Sequence, residues 1–146
     1  MKRILILLGP NLNMTGVREK GIYGSDSAES INDDIKAWCA DMSLECEIFQ
    51  SNHEGALIDR LHEAYGKFEG VIINAGALTH YSYALRDAIA AVRLPAVEVH
   101  MSNIFAREDF RHRSVIAPVC VGTVAGFGKY SYLCAITALK NREMKG

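Results

Sequence analysis

Short and almost uninterrupted apolar runs recur along this chain, and segments with helical spacing separate them. The runs cover residues 4–8, 46–49, 71–73, 96–99 and 119–121. A strand that is buried on both faces has no polar alternation, which is the pattern of a parallel sheet covered by helices. The runs therefore predict five parallel strands.

The segments between the runs carry apolar residues at the three- and four-residue spacing of amphipathic helices. Ser27 or Ser30 is placed to cap the first helix, Thr79 begins the third, and the last covers residues 132–139. Helices that alternate with five strands in 146 residues predict one domain, residues 1–146. Its expected fold is α/β and flavodoxin-like: a doubly wound five-stranded parallel sheet of order 2-1-3-4-5 with helices on both faces.

Charge and apolar content exclude several classes of protein. The chain has 16 Lys and Arg against 17 Asp and Glu, a net charge of −1, so no basic excess favours nucleic acid or an anionic membrane. The apolar run at residues 4–8 is far shorter than a membrane-spanning helix or a secretory leader requires. We therefore expect a cytoplasmic protein.

The cysteine and histidine patterns predict neither disulfides nor a metal site. The four cysteines are scattered among apolar neighbours, which favours reduced and buried thiols: Cys39, Cys46, Cys120 and Cys134. The His53-Glu54 and His62-Glu63 pairs lack the second histidine of a zinc-binding HExxH motif.

Polar residues follow the predicted strands where an open parallel sheet binds its ligands. Asn11, Asn74 and His100 come at the ends of the first, third and fourth runs. Such residues are also common in ordinary turns, but their convergence on one crevice predicts a binding site there. The glycine-punctuated connection after the first strand is unusually long, and we expect a mobile lid at about residues 12–25.

Two groups of charged and aromatic residues have both a chemical and a structural interpretation. Arg18 beside Tyr23 would favour a phenolate and make a usable base, although a lid tyrosine can also simply stack on its own domain. Arg107 and Arg111, four residues apart, would share one helical face, either as a solvated ion-paired surface or as a fork for a substrate carboxylate.

Blocks of residues along nearly the whole chain resemble the type II 3-dehydroquinate dehydratases. The blocks are Gly9-Pro10-Asn11-Leu12-Asn13, Arg18-Glu19, Ile22-Tyr23-Gly24, Gln50-Ser51-Asn52, Asn74-Ala75-Gly76-Ala77, Thr79-His80, Asp87-Ala88, Glu98-Val99-His100-Met101-Ser102-Asn103, Arg107-Glu108, Phe110-Arg111 and Gly126-Phe127-Gly128. Leu8 departs from the asparagine that is usual in this family, and Met14-Thr15 replace the commoner leucines. Neither departure touches a chemical group.

The resemblance implies reversible dehydration of 3-dehydroquinate to 3-dehydroshikimate without a cofactor or a metal. It implies that Tyr23 accepts a proton from C2 and that His100 donates one to the departing C1 hydroxyl. It further implies that Arg18 stabilises the transition state and that Asn11 holds a water molecule at the enolate oxygen. The remaining implied residues bind the substrate: Asn74, His80, Met101, Ser102 and Arg111.

Asp87 is implied to reach the substrate from a neighbouring subunit of a homododecamer built from trimers. It lies seven residues after His80, or about 10.5 Å further along the predicted third helix, too far to reach a ligand at that helix's own start. A surface ion pair with Arg86 or Arg93 is the other interpretation.

Two rival functions remain to be weighed at this point. A flavodoxin-like binding module for a mononucleotide or phosphorylated metabolite needs a phosphate loop after the first strand, where Pro10 removes a donor. A relative that assembles without activity has no need of the full set of chemical residues.

Overall fold

The structure, a computed structural model, describes residues 1–17 and 26–142. Five strands pair in parallel in the order β2-β1-β3-β4-β5. They are β1 Arg3–Leu8, β2 Glu45–Gln50, β3 Gly70–Asn74, β4 Ala96–His100 and β5 Gly122–Ala125. This topology confirms the predicted flavodoxin-like α/β sheet.

Helices in the described residues cover both faces of the sheet. They are α1 Ala28–Asp41, α2 Glu54–Ala64, α3 Tyr83–Val92 and α4 Tyr130–Arg142. Ile4 and Ile6 of β1 pack in one core with α1 and α4, whereas Leu5 and Leu7 pack in the other with α2 and α3. Successive side chains of a strand point to opposite faces, so burial of both faces explains why residues 4–8 of β1 are all apolar. None of these helices is long and apolar enough to cross a membrane.

Serine caps set where α1 and α3 begin. Ser27 Oγ accepts the Ser30 N–H at 3.0 Å, and Ser30 Oγ accepts the Ser27 N–H at 3.1 Å, which makes Ser27 the cap of α1. The prediction that Thr79 begins the third helix is wrong, because Ser82 caps α3. Thr79 lies in a separate 3₁₀ turn, and Tyr81, with φ −151° and ψ −6°, breaks the helical geometry between the two segments.

The fifth strand begins later than the apolar pattern predicts. Ala117–Val119 form a 3₁₀ turn, and β5 pairs with β4 only from Gly122 onward. Pro118 lies in the first turn of the 3₁₀ helix, where its missing N–H is tolerated, whereas a strand would need that donor. Because β5 is a partly exposed edge strand, it does not need a continuous apolar run.

The four cysteines differ in how deeply they are buried. All four cysteines are free, but only Cys39 is buried, and the prediction of burial is wrong for Cys134 on the outer side of α4.

At the start of the predicted lid, Leu12 and Thr15 are buried against the body of the domain. Residues 18–25, the rest of the predicted lid, lie outside the described residues, so the lid stays a prediction.

Two glycines allow the loops after β1 and β3 to touch. A Cβ atom on Gly9 would lie 2.4 Å from the carbonyl oxygen of Ala75, and one on Gly76 would lie 2.9 Å from that of Pro10. The Gly9 N–H donates to the Asn74 carbonyl at 2.8 Å. Close backbone contact thus holds together the polar residues that follow the two strands.

We expect Gly9→Ala to lower the free energy of unfolding by about 1–3 kcal/mol, because the opposing Ala75 carbonyl cannot move aside. Gly55→Ala is the matched control, since an added Cβ there meets nothing within 4 Å and alanine is about 1 kcal/mol better than glycine in a helix. Urea denaturation at one protein concentration measures both. A Gly9→Ala variant as stable as the Gly55→Ala variant would contradict the close contact.

Candidate active site

A pocket lies at the carboxyl edge of the sheet, where the chain leaves β1 and β3 toward helices on opposite faces. It is lined by Pro10, Asn11, Leu12, Asn74, Gly76, Ala77, His80, His100, Met101, Ser102, Ile104, Arg107 and Arg111. The structure therefore brings together most of the predicted site residues from the ends of β1, β3 and β4. Tyr23 and Arg18 lie outside the described residues, and Asp87 is exposed on α3 and does not line this pocket.

Polar residues at the end of β2 fix the turn that carries Asn11. The Asn11 N–H donates to Asn52 Oδ1 at 2.9 Å, and Gln50 Nε2 donates to the same oxygen and to the Gly9 carbonyl, both at 3.1 Å. Asn11 adopts a left-handed φ of 71°, which asparagine tolerates better than most residues. The Leu8 side chain packs in the apolar core. The side chains that hold this turn are therefore Asn52 and Gln50, and the Leu8 side chain takes no part.

The Asn74 amide is buried and oriented by two hydrogen bonds. Its Nδ2 donates to Tyr132 Oη at 2.9 Å, and its Oδ1 accepts the Gly76 N–H at 3.2 Å. An amide has two N–H donors and two lone pairs on its oxygen, so one of each remains for a ligand. Asn74 can therefore position a hydroxyl while it keeps its structural contacts.

A buried carboxylate orients His100. Glu98 is fully buried, and its Oε2 lies 2.6 Å from His100 Nε2. Side chains two residues apart on a strand point to the same face, which is why β4 brings this pair together. With Glu98 ionised, the Nε2 proton is donated to it, and Nδ1 is left for chemistry in the pocket.

The role of Glu98 was not predicted from the sequence, but a signal for it existed. Buried charges are rare unless they are paired, and Glu98 interrupts the otherwise apolar run of residues 96–99. A glutamate at that position, two residues before a histidine at the strand end, indicates a buried carboxylate–imidazole pair.

His80 stacks on His100 with ring centroids 6.3 Å apart and an interplanar angle of 17°. Its Nδ1 donates to the Arg113 carbonyl at 2.8 Å, so Nε2 of the neutral ring is an acceptor. Burial lowers the pKa of His80, and positive charge on His100 and Arg111 lowers it further. His80 is therefore suited to accept a hydrogen bond from a ligand hydroxyl near neutral pH.

Two arginines make the pocket cationic. Arg107 Nη1 donates to Ser102 Oγ at 3.3 Å, and Arg111 Nε donates to Glu108 Oε2 at 3.2 Å. The prediction that they share a helical face is wrong, because Arg107 ends one 3₁₀ turn and Arg111 lies in the next. Both nevertheless line the pocket, and its described lining contains no Asp or Glu. The site is suited to a ligand that carries a carboxylate and hydroxyls.

The position of Asp87 corrects the single-helix argument made from the sequence. His80 lies in the 3₁₀ turn Gly76–His80, and Asp87 lies in α3, which begins at Tyr83. The two residues are therefore not on one helix. A contribution of Asp87 from a neighbouring subunit stays a prediction.

The described part of the chain has no cluster of potential metal ligands. Among residues 1–17 and 26–142, no group of three or more His, Cys, Asp or Glu side chains could hold a metal ion.

Comparison with known proteins identifies the family. The family model described as dehydroquinase class II matches residues 2–140. The chain is 56% identical over 141 residues to the 3-dehydroquinate dehydratase of Caldicellulosiruptor bescii, covering 96% of this chain and 97% of the relative. It is 56% identical over 146 residues to that of Halothermothrix orenii, covering 100% and 99%.

Solved structures agree with this result. The crystal structure of the type II dehydroquinase from Butyrivibrio crossotus matches with a TM-score of 0.93 at 49% identity, covering 94% of this chain and 97% of that one. The fold is that of a flavodoxin-like α/β enzyme. The chain belongs to the dehydroquinase class II family.

We expect His80 to titrate below the ordinary histidine value of about 6.5. The folded protein then binds this proton less readily than the unfolded chain does. The free energy of unfolding therefore falls as the pH drops below about 6.5, where a histidine in the unfolded chain takes up its proton. An NMR titration of the His80 ring, assigned by comparison with His80→Asn, measures its midpoint. A midpoint at or above 6.5 would contradict the effect of burial.

Proposed function

We propose that this chain catalyses the reversible, cofactor-free dehydration of 3-dehydroquinate to 3-dehydroshikimate in the shikimate pathway of aromatic amino acid biosynthesis. The observation that carries the proposal is a pocket with two arginines in which a buried carboxylate orients His100. The names of the relatives support the substrate. The proposed location is the cytoplasm, in agreement with four free cysteines.

The reaction removes a proton from C2 and a hydroxyl from C1. The ketone next to C2 makes that proton acidic, and the electron pair it leaves forms an enolate. The C1–O bond then breaks as His100 supplies a proton from Nδ1, and water leaves. The new double bond is conjugated with the ketone. The Glu98 carboxylate supports this step, because it stabilises the positive charge that His100 carries before it donates.

The proposed base is Tyr23, assisted by Arg18. A free phenol has a pKa of about 10, so it needs help to accept a proton near neutral pH. A guanidinium beside the phenol favours the phenolate and supplies that help. Both assignments rest on the family resemblance.

The other pocket residues bind the substrate in this proposal. Asn74, His80, Arg111 and the Met101–Ser102 segment bind the substrate hydroxyls and carboxylate. Asn11 holds the water that stabilises the enolate oxygen. The free hydrogen-bonding positions on Asn74 and His80 support these roles.

The direct test adds 3-dehydroquinate to the purified protein and follows the ultraviolet absorbance of the conjugated enone. We expect turnover by the wild-type chain and a loss of about 10²–10⁴-fold in kcat for Tyr23→Phe, because the variant has no phenol oxygen to accept the proton. Tyr65→Phe is the control, since Tyr65 is 69% exposed and lies outside the pocket. No product from the wild-type chain rejects the activity, and a fully active Tyr23→Phe variant rejects the base.

The proposal includes a homododecamer built from trimers in which Asp87 completes a neighbour's site. We expect Asp87→Ala to raise KM and to loosen the assembly together, because one carboxylate would serve both the interface and the substrate. Asp59→Ala, which removes an exposed aspartate from α2, is the matched control. Light scattering and steady-state kinetics measure the two effects. Normal size with normal kinetics for Asp87→Ala would contradict a shared role.

A further inference from the structure

The Glu98 carboxylate has a second partner besides His100. Ser114 Oγ donates to Glu98 Oε1 at 2.6 Å, while Oε2 faces His100 at the same distance. Each oxygen of this fully buried group thus has one hydrogen-bond partner. Ser114 lies sixteen residues away in sequence, beyond the segment that carries Arg111.

The surroundings of Ser114 fix the direction of its hydroxyl. The Ala117 N–H donates to Ser114 Oγ at 2.9 Å. Because a backbone donor occupies one side of the oxygen, the single hydroxyl hydrogen is directed to Glu98. Ser114 therefore links a backbone N–H to the buried carboxylate.

The backbone on both sides of Ser114 is anchored to the pocket wall. The Arg113 carbonyl accepts His80 Nδ1 at 2.8 Å, and the Val115 N–H donates to the Thr79 carbonyl at 2.8 Å. The segment that places the hydroxyl is thus tied to the same 3₁₀ turn that carries His80. Few other positions are open to Ser114 while these bonds persist.

We propose that Ser114 is a positioning residue for His100 and acts through Glu98. The inference rests on the proposed role of His100 as the proton donor. A hydrogen bond from Ser114 favours the ionised carboxylate, which then accepts the Nε2 proton and leaves Nδ1 facing the substrate. Without the hydrogen bond from Ser114, the Glu98 carboxylate is less stable in its ionised form and accepts the Nε2 proton of His100 less strongly. The imidazole ring then loses its fixed tautomer and orientation.

The neighbours of the pair do not replace Ser114. Burial, with the charge of Glu98, raises the pKa of the Cys120 thiol to about 12, so this thiol stays neutral and supplies no charge to the pair, and a neutral thiol is only a weak donor. His80 stacks on His100 but uses its Nδ1 on the Arg113 carbonyl. Ser114 is the residue whose side chain donates directly to Oε1.

The first test compares Ser114→Ala with Ser114→Thr, which keeps the hydroxyl. We expect Ser114→Ala to lower kcat by about 10- to 100-fold while KM stays within about twofold, and Ser114→Thr to recover most of the activity. Circular dichroism and thermal unfolding check that both variants are folded. Equal loss in the two variants, or a loss confined to KM, would overturn the inference.

The second test separates action through Glu98 from a local effect on the Ala117 turn. We expect Glu98→Gln and Ser114→Ala to be strongly non-additive in kcat, since the double variant removes one connected network. Losses that simply multiply would show that Ser114 acts independently of Glu98.

The third test does not depend on turnover. Long-range ¹H–¹⁵N spectra of ¹⁵N-histidine protein report the tautomer of His100, assigned by comparison with His100→Asn. In the neutral ring we expect the proton on Nε2 in the wild type and in Ser114→Thr, so that Nδ1 is the atom that gains and donates the catalytic proton, and a mixed or altered tautomer in Ser114→Ala. An unchanged ring in Ser114→Ala rejects the positioning role even if the wild type has no activity, whereas an inactive wild type with the expected tautomers rejects only the proposed function. If Ser114→Ala does not fold, Ser114→Cys, with its weaker donor, provides the same comparison.

Discussion

Parallel pairing of β1 with β3 and of β3 with β4 is the constraint on which the pocket depends. It places the carboxyl ends of three strands at one edge of the sheet, so the residues that follow them meet there. The helical crossovers needed by parallel strands bury both faces and leave this edge as the accessible surface for polar groups. Gly9 and Gly76 then allow the loop after β1 and the loop after β3 to touch beside the pocket.

Within that frame, one buried charge organises the chemistry. A carboxylate out of contact with water must be satisfied by hydrogen bonds, and Glu98 is satisfied by His100 and Ser114. The hydrogen bond that His100 donates to Glu98 holds the imidazole in one orientation. The same low exposure that makes Glu98 costly in isolation makes its effect on His100 strong.

The sequence was sufficient to predict what depends on local pattern. Apolar runs predicted the sheet, and residues at strand ends predicted where the pocket lies. The β5 boundary was wrong because Val119, the first residue of the apolar run, ends a 3₁₀ turn that contains Pro118, and β5 begins only at Gly122. Thr79 is a competent cap by residue type, but the backbone at Tyr81 ends the turn that contains it, and Ser82 caps α3 instead.

Partners distant in the chain were the least predictable part of the site. Nothing in the local sequence pairs Ser114 with Glu98, because the bond depends on how two loops pack. Glu98 was recognisable from the sequence as a charge in a buried strand two residues before His100, yet its second partner, Ser114, followed only from the fold. The relation of Tyr23 and Arg18 to this pocket lies beyond the described residues and rests on the family resemblance.

A crystal structure with a bound unreactive analogue of 3-dehydroquinate tests the central claim most directly. The account predicts the ligand in the carboxyl-edge pocket, with His100 within hydrogen-bond distance of the C1 oxygen. It also predicts the phenol oxygen of Tyr23 facing C2, with the Arg18 guanidinium beside it. A ligand bound elsewhere, or a phenol directed away from C2 and remote from Arg18, would contradict the account.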